Sequence, residues 1–144
     1  MLRCPAYRMK PSKKRQYTVF LSHSSRDSWL ASIIAQKFRA AGAKVWIDEM
    51  SLVGGDELLR GVSEGMRSVD EAVVLVSSES LKSQWVAAEI GMAAVLKKRI
   101  TGLLNNVDYD AMAPLKGIKS YELNLIDNFV QQLKRRVAES KRKT

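Results

Sequence analysis

The residues best suited to chemistry in this sequence are Trp85 and Glu89, which lie four positions apart in the run S-Q-W-V-A-A-E-I-G-M-A at residues 83–93. Residues at that spacing share one face of a helix, and the next positions on this face, Met92 and Leu96, are apolar. A charged carboxylate is costly to bury in an apolar stripe. Glu89 is therefore either a rim residue whose carboxylate reaches water, or a carboxylate that is hydrogen-bonded, paired or used in a reaction.

The elements that position this helix follow from the hydrophobic periodicity. Short β-branched or aromatic runs predict five strands, at residues 17–22, 44–48, 72–77, 99–104 and 121–125. Apolar residues at helical spacing predict four helices, at about residues 28–41, 56–69, 84–98 and 127–137. Strands that alternate with helices favour a parallel sheet with right-handed crossovers. We therefore predict an α/β fold, a flavodoxin-like three-layer sandwich with a five-stranded parallel sheet in the order 2-1-3-4-5.

This strand order predicts where a ligand would bind. In open α/β sheets, ligands bind at the carboxyl ends of the strands where the strand order reverses, which is here between strands 1 and 3. The loop after strand 1 covers residues 22–27, and the loop after strand 3, residues 77–83, leads into the helix of Glu89. Strand 2 ends at Asp48. We expect these segments to meet in one crevice.

The charge is concentrated at the two ends of the chain. The net charge is +9, yet residues 17–133 carry twelve basic and fourteen acidic residues. We divide the chain into a basic N-terminal tail (1–16), one domain (17–137) and a basic C-terminal tail (138–144). Basic tails on a near-neutral body are more often solubilising or weakly adhesive than a recognition surface. Because no nucleic-acid reading motif is present, we expect no specific nucleic acid partner, and only weak salt-sensitive attraction to polyanions stays open.

The expected compartment is the cytoplasm. No apolar run is long enough to cross a bilayer, and the basic N-terminal residues are not followed by an apolar segment of secretory type. Cys4 is the one cysteine, so no internal disulfide can form.

Three blocks, taken in order, resemble the TIR (Toll/interleukin receptor) family across nearly the whole body of the chain. They read Y-T-V-F-L-S-H-S-S-R-D at residues 17–27, V-W-I-D-E-M-S-L-V-G-G-D at 45–56 and V-L-V-S-S-E-S-L-K-S-Q-W-V-A-A-E-I-G-M-A at 74–93. The second block departs from many members, which carry Pro-Gly where this chain has Val53-Gly54. Some members of the family are scaffolds that recruit partners, and others cleave NAD⁺ with a glutamate at the position of Glu89.

The presence of Glu89 favours the enzymatic kind of member. The resemblance implies a bacterial-type NAD⁺ nucleosidase that cleaves the nicotinamide–ribose bond and yields nicotinamide with ADP-ribose or a cyclic isomer. NAD⁺ would be the substrate, with no further cofactor and no metal, and the role would lie in bacterial immune signalling and antiviral defence. A non-enzymatic TIR interaction module and a host-directed effector are the alternatives.

The resemblance also implies a role for each residue of the crevice. Glu89 would stabilise the positive charge that develops on the ribose. Trp85 is either a flat wall for the nicotinamide ring or a core tryptophan. Asp48 would accept a hydrogen bond from the substrate or cap its own loop. The ribose and diphosphate would be held by hydroxyl and guanidinium donors of the first loop, namely Ser22, His23, Ser24 and Arg26.

His23 has a competing interpretation, and one further segment has an expected role in assembly. His23 is the one histidine, and no metal-type or Ser/His/Asp spacing surrounds it, which favours an ordinary loop residue over a direct role in catalysis. The segment Ser51–Asp56 is expected to act as an assembly loop for TIR–TIR self-association, through Val53, Gly54, Gly55 and Asp56.

Two other function classes fit the first loop poorly. A phosphorylated receiver domain needs acidic residues after strand 1 and an aspartate at the end of strand 3, whereas this chain has S-H-S-S and Ser77-Ser78 there. A flavin-binding loop would contain glycine, which S-H-S-S lacks. The flavin alternative is weakened without being excluded.

Overall fold

All five strands pair in parallel and form one sheet in the order β2-β1-β3-β4-β5. The structure is a computed structural model that describes residues 15–47, 63–108 and 117–143. The strands are β1 (Thr18–Ser22), β2 (Lys44–Ile47), β3 (Glu71–Val76), β4 (Arg99–Leu104) and β5 (Lys119–Glu122). The predicted fold class and strand order are confirmed, and the order reverses between β1 and β3.

Helices cover both faces of this sheet. They are α1 (Ser28–Ala40), α2 (Ser78–Lys82), α3 (Gln84–Val95) and α4 (Ile126–Arg142), and residues 63–68 are also helical. On one face, α1 and α4 pack through the rings of Phe38 and Phe129, whose centroids lie 5.3 Å apart. On the other face, Met66 and Ala93 join Phe20 in a second apolar cluster. Every residue of β3 is buried because both faces of this central strand are covered.

The helices differ from the sequence prediction in three places. The predicted loop at residues 77–83 contains the short helix α2, because the Ser77 side chain caps the Ser80 amide while the Ser80 hydroxyl bonds back to the Ser77 amide. Helix α3 ends at Val95, short of the expected Lys98, since Lys97 has a φ of 55° that no helix can continue. Helix α4 in turn continues five residues beyond Val137.

Trp46 of β2 packs against the second apolar cluster. Its ring lies 4.8 Å from that of Phe20, and a Cβ added to Gly65 would stand 2.1 Å from the same indole. Glycine is therefore the residue that lets the helical segment 63–68 approach β2 this closely.

A polar cluster ties the sheet together at the end where its strands begin. Glu71, the first residue of β3, is completely buried and accepts hydrogen bonds from Arg136 Nε at 2.7 Å and Nη2 at 3.0 Å. The Tyr17 hydroxyl donates a third hydrogen bond to the same carboxylate. Beside it, Asp70 accepts from the Thr18 amide at 2.8 Å and pairs with Arg15 at 3.3 Å.

Across the described residues, no helix has the length and apolar character that a membrane span requires.

Candidate active site

Ser22 and Glu89 meet at the point where the strand order reverses. Ser22 is the last residue of β1 and aligns with Val74 of β3, while Glu89 lies in the second turn of α3. Both residues are only 3% exposed, and the Ser22 hydroxyl donates a hydrogen bond to Glu89 Oε2. The hydroxyl therefore fixes the orientation of a carboxylate buried at the carboxyl end of the sheet.

The surroundings of Glu89 are mainly apolar. Side chains from three strands and two helical segments line a small pocket around it, among them Phe20, Met66, Val74, Ile90 and Ala93. In such surroundings the effective dielectric constant is lower than in water, so a charge interacts more strongly with a neighbouring charge. A cationic centre brought next to this carboxylate would be stabilised more than it would be at the protein surface.

The two loops at the mouth of this crevice are bonded to one another. The Ser77 hydroxyl donates to Asp27 Oδ2 at 2.5 Å, and Arg26 Nε lies 3.7 Å from Glu79 Oε2. Asp27 occupies the N-cap position of α1, yet its side chain makes no capping bond because it accepts from Ser77 instead. The sequence could have predicted the bond between Asp27 and Ser77, because the two residues follow neighbouring strands and their loops must therefore be adjacent.

The remaining polar residues of the first loop have different environments. Ser24 is buried and accepts a hydrogen bond from the Arg26 amide at 3.3 Å, which begins the 3₁₀ turn Ser25–Asp27. The Arg26 side chain is largely exposed, and His23 is half-buried between Ser22 and Ser24. The structure thus brings Ser22 into contact with Glu89 and leaves the Arg26 guanidinium exposed beside Glu79.

Trp85 lies in the first turn of α3, one turn before Glu89. The residue is half-buried, and its indole Nε1 is shielded from solvent with no hydrogen-bond acceptor among the described residues. Buried indole N–H groups usually have an acceptor. This donor is therefore suited to an oxygen atom of a bound ligand, a feature that the spacing of Trp85 and Glu89 did not predict.

Part of the predicted site lies outside the described residues. Asp48 and the assembly-loop residues Val53, Gly54, Gly55 and Asp56 belong to this part, so their roles stay predictions. Within residues 15–47, 63–108 and 117–143, no group of three or more His, Cys, Asp or Glu side chains is arranged to hold a metal ion.

The family model for the TIR domain matches residues 19–137 of this chain. The chain belongs to the TIR domain family. The matched region contains the β1 loop, the helix of Glu89 and the described strands except the first residue of β1. The resemblance drawn from the three sequence blocks is confirmed.

Curated relatives of this TIR domain include named enzymes. The chain is 31% identical over 102 residues to the NAD(+) hydrolase PdTIR of Paracoccus denitrificans, an alignment that covers 67% of this chain and 34% of the relative. It is 33% identical over 86 residues to the 2′ cyclic ADP-D-ribose synthase BtTIR of Bacteroides thetaiotaomicron, covering 58% and 30%. The alignments thus span about a third of the length of these relatives.

Solved structures show the same fold. The TIR domain of the Toll-related receptor TRR-2 from Hydra magnipapillata aligns with a TM-score of 0.62 at 15% identity, covering 83% of this chain and 97% of that domain. The CMP N-glycosidase BcmB of Clostridium botulinum aligns with a TM-score of 0.56 at 18% identity, covering 81% and 97%.

Proposed function

We propose that this TIR domain cleaves NAD⁺ at the bond between nicotinamide and ribose. The observation that carries the proposal is the buried carboxylate of Glu89, held by the Ser22 hydroxyl at the switch point of the sheet. Two relatives at 31% and 33% identity, one named an NAD(+) hydrolase and the other a 2′ cyclic ADP-D-ribose synthase, support the same substrate. A role in bacterial immune signalling is part of the proposal.

The chemistry of the bond matches a site with one buried carboxylate. When the bond between ribose C1′ and the pyridinium nitrogen breaks, both electrons leave with nicotinamide, which departs as a neutral molecule and needs no general acid. Positive charge then develops on C1′ and the ring oxygen of the ribose, where a carboxylate stabilises it. Attack of water on C1′ gives ADP-ribose and one proton, and attack of a hydroxyl of the same molecule gives a cyclic isomer and likewise releases one proton. The proposed reaction uses no further cofactor and no metal.

The residues around Glu89 have distinct proposed roles. Ser22 acts as a positioning residue, because its hydroxyl proton is already used in the bond to Glu89. The Trp85 ring forms a wall of the nicotinamide site, and its N–H donates to an oxygen of the bound nucleotide. Ser24 and His23 lie beside the ribose, and Arg26 at the rim binds the diphosphate. Asp48 stays a candidate acceptor for the substrate.

The test is incubation of the purified chain with NAD⁺, followed by chromatography of nicotinamide and the ADP-ribose products. Glu89→Gln keeps the volume of the side chain and an oxygen acceptor for Ser22, but removes the negative charge that would face the ribose. We expect nicotinamide release to fall by about two to three orders of magnitude, as for other preorganised electrostatic contacts. Glu139→Gln, an exposed glutamate of α4 far from the crevice, is the matched control and should keep the wild-type rate.

Two outcomes contradict the proposal. If Glu89→Gln folds and keeps wild-type turnover, Glu89 is not the catalytic carboxylate. If the wild-type chain releases no nicotinamide, the non-enzymatic interaction module or a host-directed effector replaces the enzyme as the proposed function.

The assay is run from dilute to concentrated protein, because we also propose that the domain self-associates through TIR–TIR contacts. Specific activity should then rise with concentration, and a flat profile from a strictly monomeric sample contradicts self-association.

A further inference from the structure

The two ends of the sheet differ in charge. Because the strands are parallel and the helices run back along them, the first residues of the strands and the last residues of the helices lie at the same end. Exposed basic residues occur there on almost every element. We define this basic surface by six of them, each at a different element boundary: Arg39, Lys44, Arg67, Lys97, Arg99 and Arg142.

Contacts within the chain confirm that these boundaries are level with one another. Lys98 Nζ donates to the carbonyls of Arg67 at 3.2 Å and Val69 at 2.8 Å, which links the end of α3 to the helical segment 63–68. Arg99 aligns with Glu71 in the pairing of β4 and β3. Since Arg136 reaches the same Glu71, the remainder of α4 up to Arg142 extends at or beyond the first residues of the strands.

Two acidic residues at this end are already paired with other cations, whereas Glu139 on α4 is exposed. Asp70 pairs with Arg15, and the buried Glu71 pairs with Arg136. None of the six residues of the basic surface takes part in an ion pair within the described part of the chain. Their positive charge is therefore available to a partner.

We propose that the basic surface binds the phosphate backbone of nucleic acid without sequence preference. Five strands about 4.8 Å apart make this end of the sheet roughly 20 Å wide, which matches about six phosphates along one nucleic acid strand. Lys and Arg side chains on a rigid scaffold supply phosphate contacts, and such contacts carry no sequence information. Arg15 also lies at this end, where its guanidinium is bonded to Ser68 and Asp70.

Nucleic acid fits this surface better than an anionic membrane. Surface-bound membrane proteins insert large apolar side chains next to their basic residues. Among the described residues, the large exposed apolar side chains are Trp29, Val95 and Leu125, and of these only Val95 lies at the basic end. Trp29 and Leu125 precede or begin helices at the opposite end, beside the candidate active site. Nucleic acid bound to the basic surface would leave the crevice of Glu89 open.

The experiment measures fluorescence anisotropy of a labelled single-stranded oligonucleotide of mixed sequence, about 20 nucleotides long, over a range of NaCl concentrations. The test variant, Arg67→Gln with Arg99→Gln, removes two positive charges from the basic surface. Its matched control, Lys82→Glu on α2, changes the net charge by the same amount at the other end of the sheet. Circular dichroism and thermal melting establish that both variants are folded.

We expect wild-type binding that weakens steeply with salt. The double variant should bind about tenfold more weakly at low salt, and the slope of log K against log salt should decrease by about 1.4. The control should stay within about twofold of the wild type. The proposal is overturned if the wild type does not bind at low salt, if the control loses as much affinity as the double variant, or if vesicles of phosphatidylcholine and phosphatidylserine bind while the oligonucleotide does not.

Discussion

Two buried glutamates lie at opposite ends of the same sheet and are held in different ways. Glu71, at the beginning of β3, receives two hydrogen bonds from the Arg136 guanidinium and one from Tyr17. Glu89, beside the end of β1, receives a hydrogen bond from the Ser22 hydroxyl. Exposure does not separate them, since Glu71 is 0% and Glu89 is 3% exposed.

The difference lies in what each partner does to the charge. A guanidinium bound through two N–H groups neutralises a carboxylate and locks it in place. The Ser22 hydroxyl orients the Glu89 carboxylate, and this hydrogen bond brings no counter-charge. The comparison suggests that a buried carboxylate is a candidate for catalysis according to the partners that hold it, and that burial by itself does not distinguish a structural residue from a reactive one.

The largest effect on stability is expected for Glu71→Gln. The change leaves the Arg136 guanidinium, which is 18% exposed, without its counter-charge. Breaking a buried ion pair from one side costs about 3–5 kcal/mol. Denaturant unfolding measures this loss, and Asp70→Asn, at the neighbouring and more exposed pair with Arg15, should lose much less. NAD⁺ cleavage per folded molecule should be unchanged. A stable Glu71→Gln variant that has lost cleavage would contradict a purely structural role for Glu71.

A smaller effect is expected for Ser22→Ala, in kinetics rather than in folding. A hydrogen bond to a charged group is worth about 1.5–3 kcal/mol, which corresponds to a loss of roughly ten- to a hundredfold in kcat. KM should change little because Ser22 is proposed to position Glu89 and not to hold NAD⁺. Ser22→Thr keeps the hydroxyl and should recover most of the rate.

A purely structural role for Ser22 gives a different pattern. In that case Ser22→Ala and Ser22→Thr would lower the melting temperature while kcat per folded molecule stayed at the wild-type value. A rise in KM with unchanged kcat would instead assign Ser22 to substrate binding, as the sequence prediction has it.

The smallest expected effect is on the free energy of unfolding at alkaline pH, and it involves only the end of the sheet at which Glu71 lies. Burial, together with the hydrogen bond and the negative charge of Glu71, raises the pKa of Tyr17 above its ordinary value. The folded state therefore keeps the Tyr17 proton, whereas an unfolded tyrosine loses it near pH 10. This contribution to stability is complete below about pH 10 and is lost as the pH rises above it. Unfolding free energies measured from pH 8 to pH 11 should fall more steeply for the wild type than for Tyr17→Phe, and parallel curves would contradict this assignment.

Local patterns in the sequence predicted most of the elements and their order, although the fifth strand lies at Lys119–Glu122, two residues earlier than its predicted start. Apolar runs such as A-V-V-L-V at residues 72–76 predicted β3, and helical spacing predicted α1, α3 and α4. From the alternation of strands and helices followed the parallel sheet and the crevice between β1 and β3. The short helix α2 was missed because its capping box, built from Ser77 and Ser80, uses the same residues that are typical of loops.

Which groups bind each glutamate was decided by the tertiary structure. In the sequence, Glu71 lies just before the predicted strand and gives no sign of burial, while its partners Tyr17 and Arg136 are 54 and 65 positions away. The bond between Ser22 and Glu89 likewise spans 67 positions. Periodicity determined which residues face the core, because neighbours along the chain fix the geometry of each helix and strand. Hydrogen-bond partners across the sheet depend on how those elements pack, so they were set only once the fold brought the ends of β1, β3, α3 and α4 together.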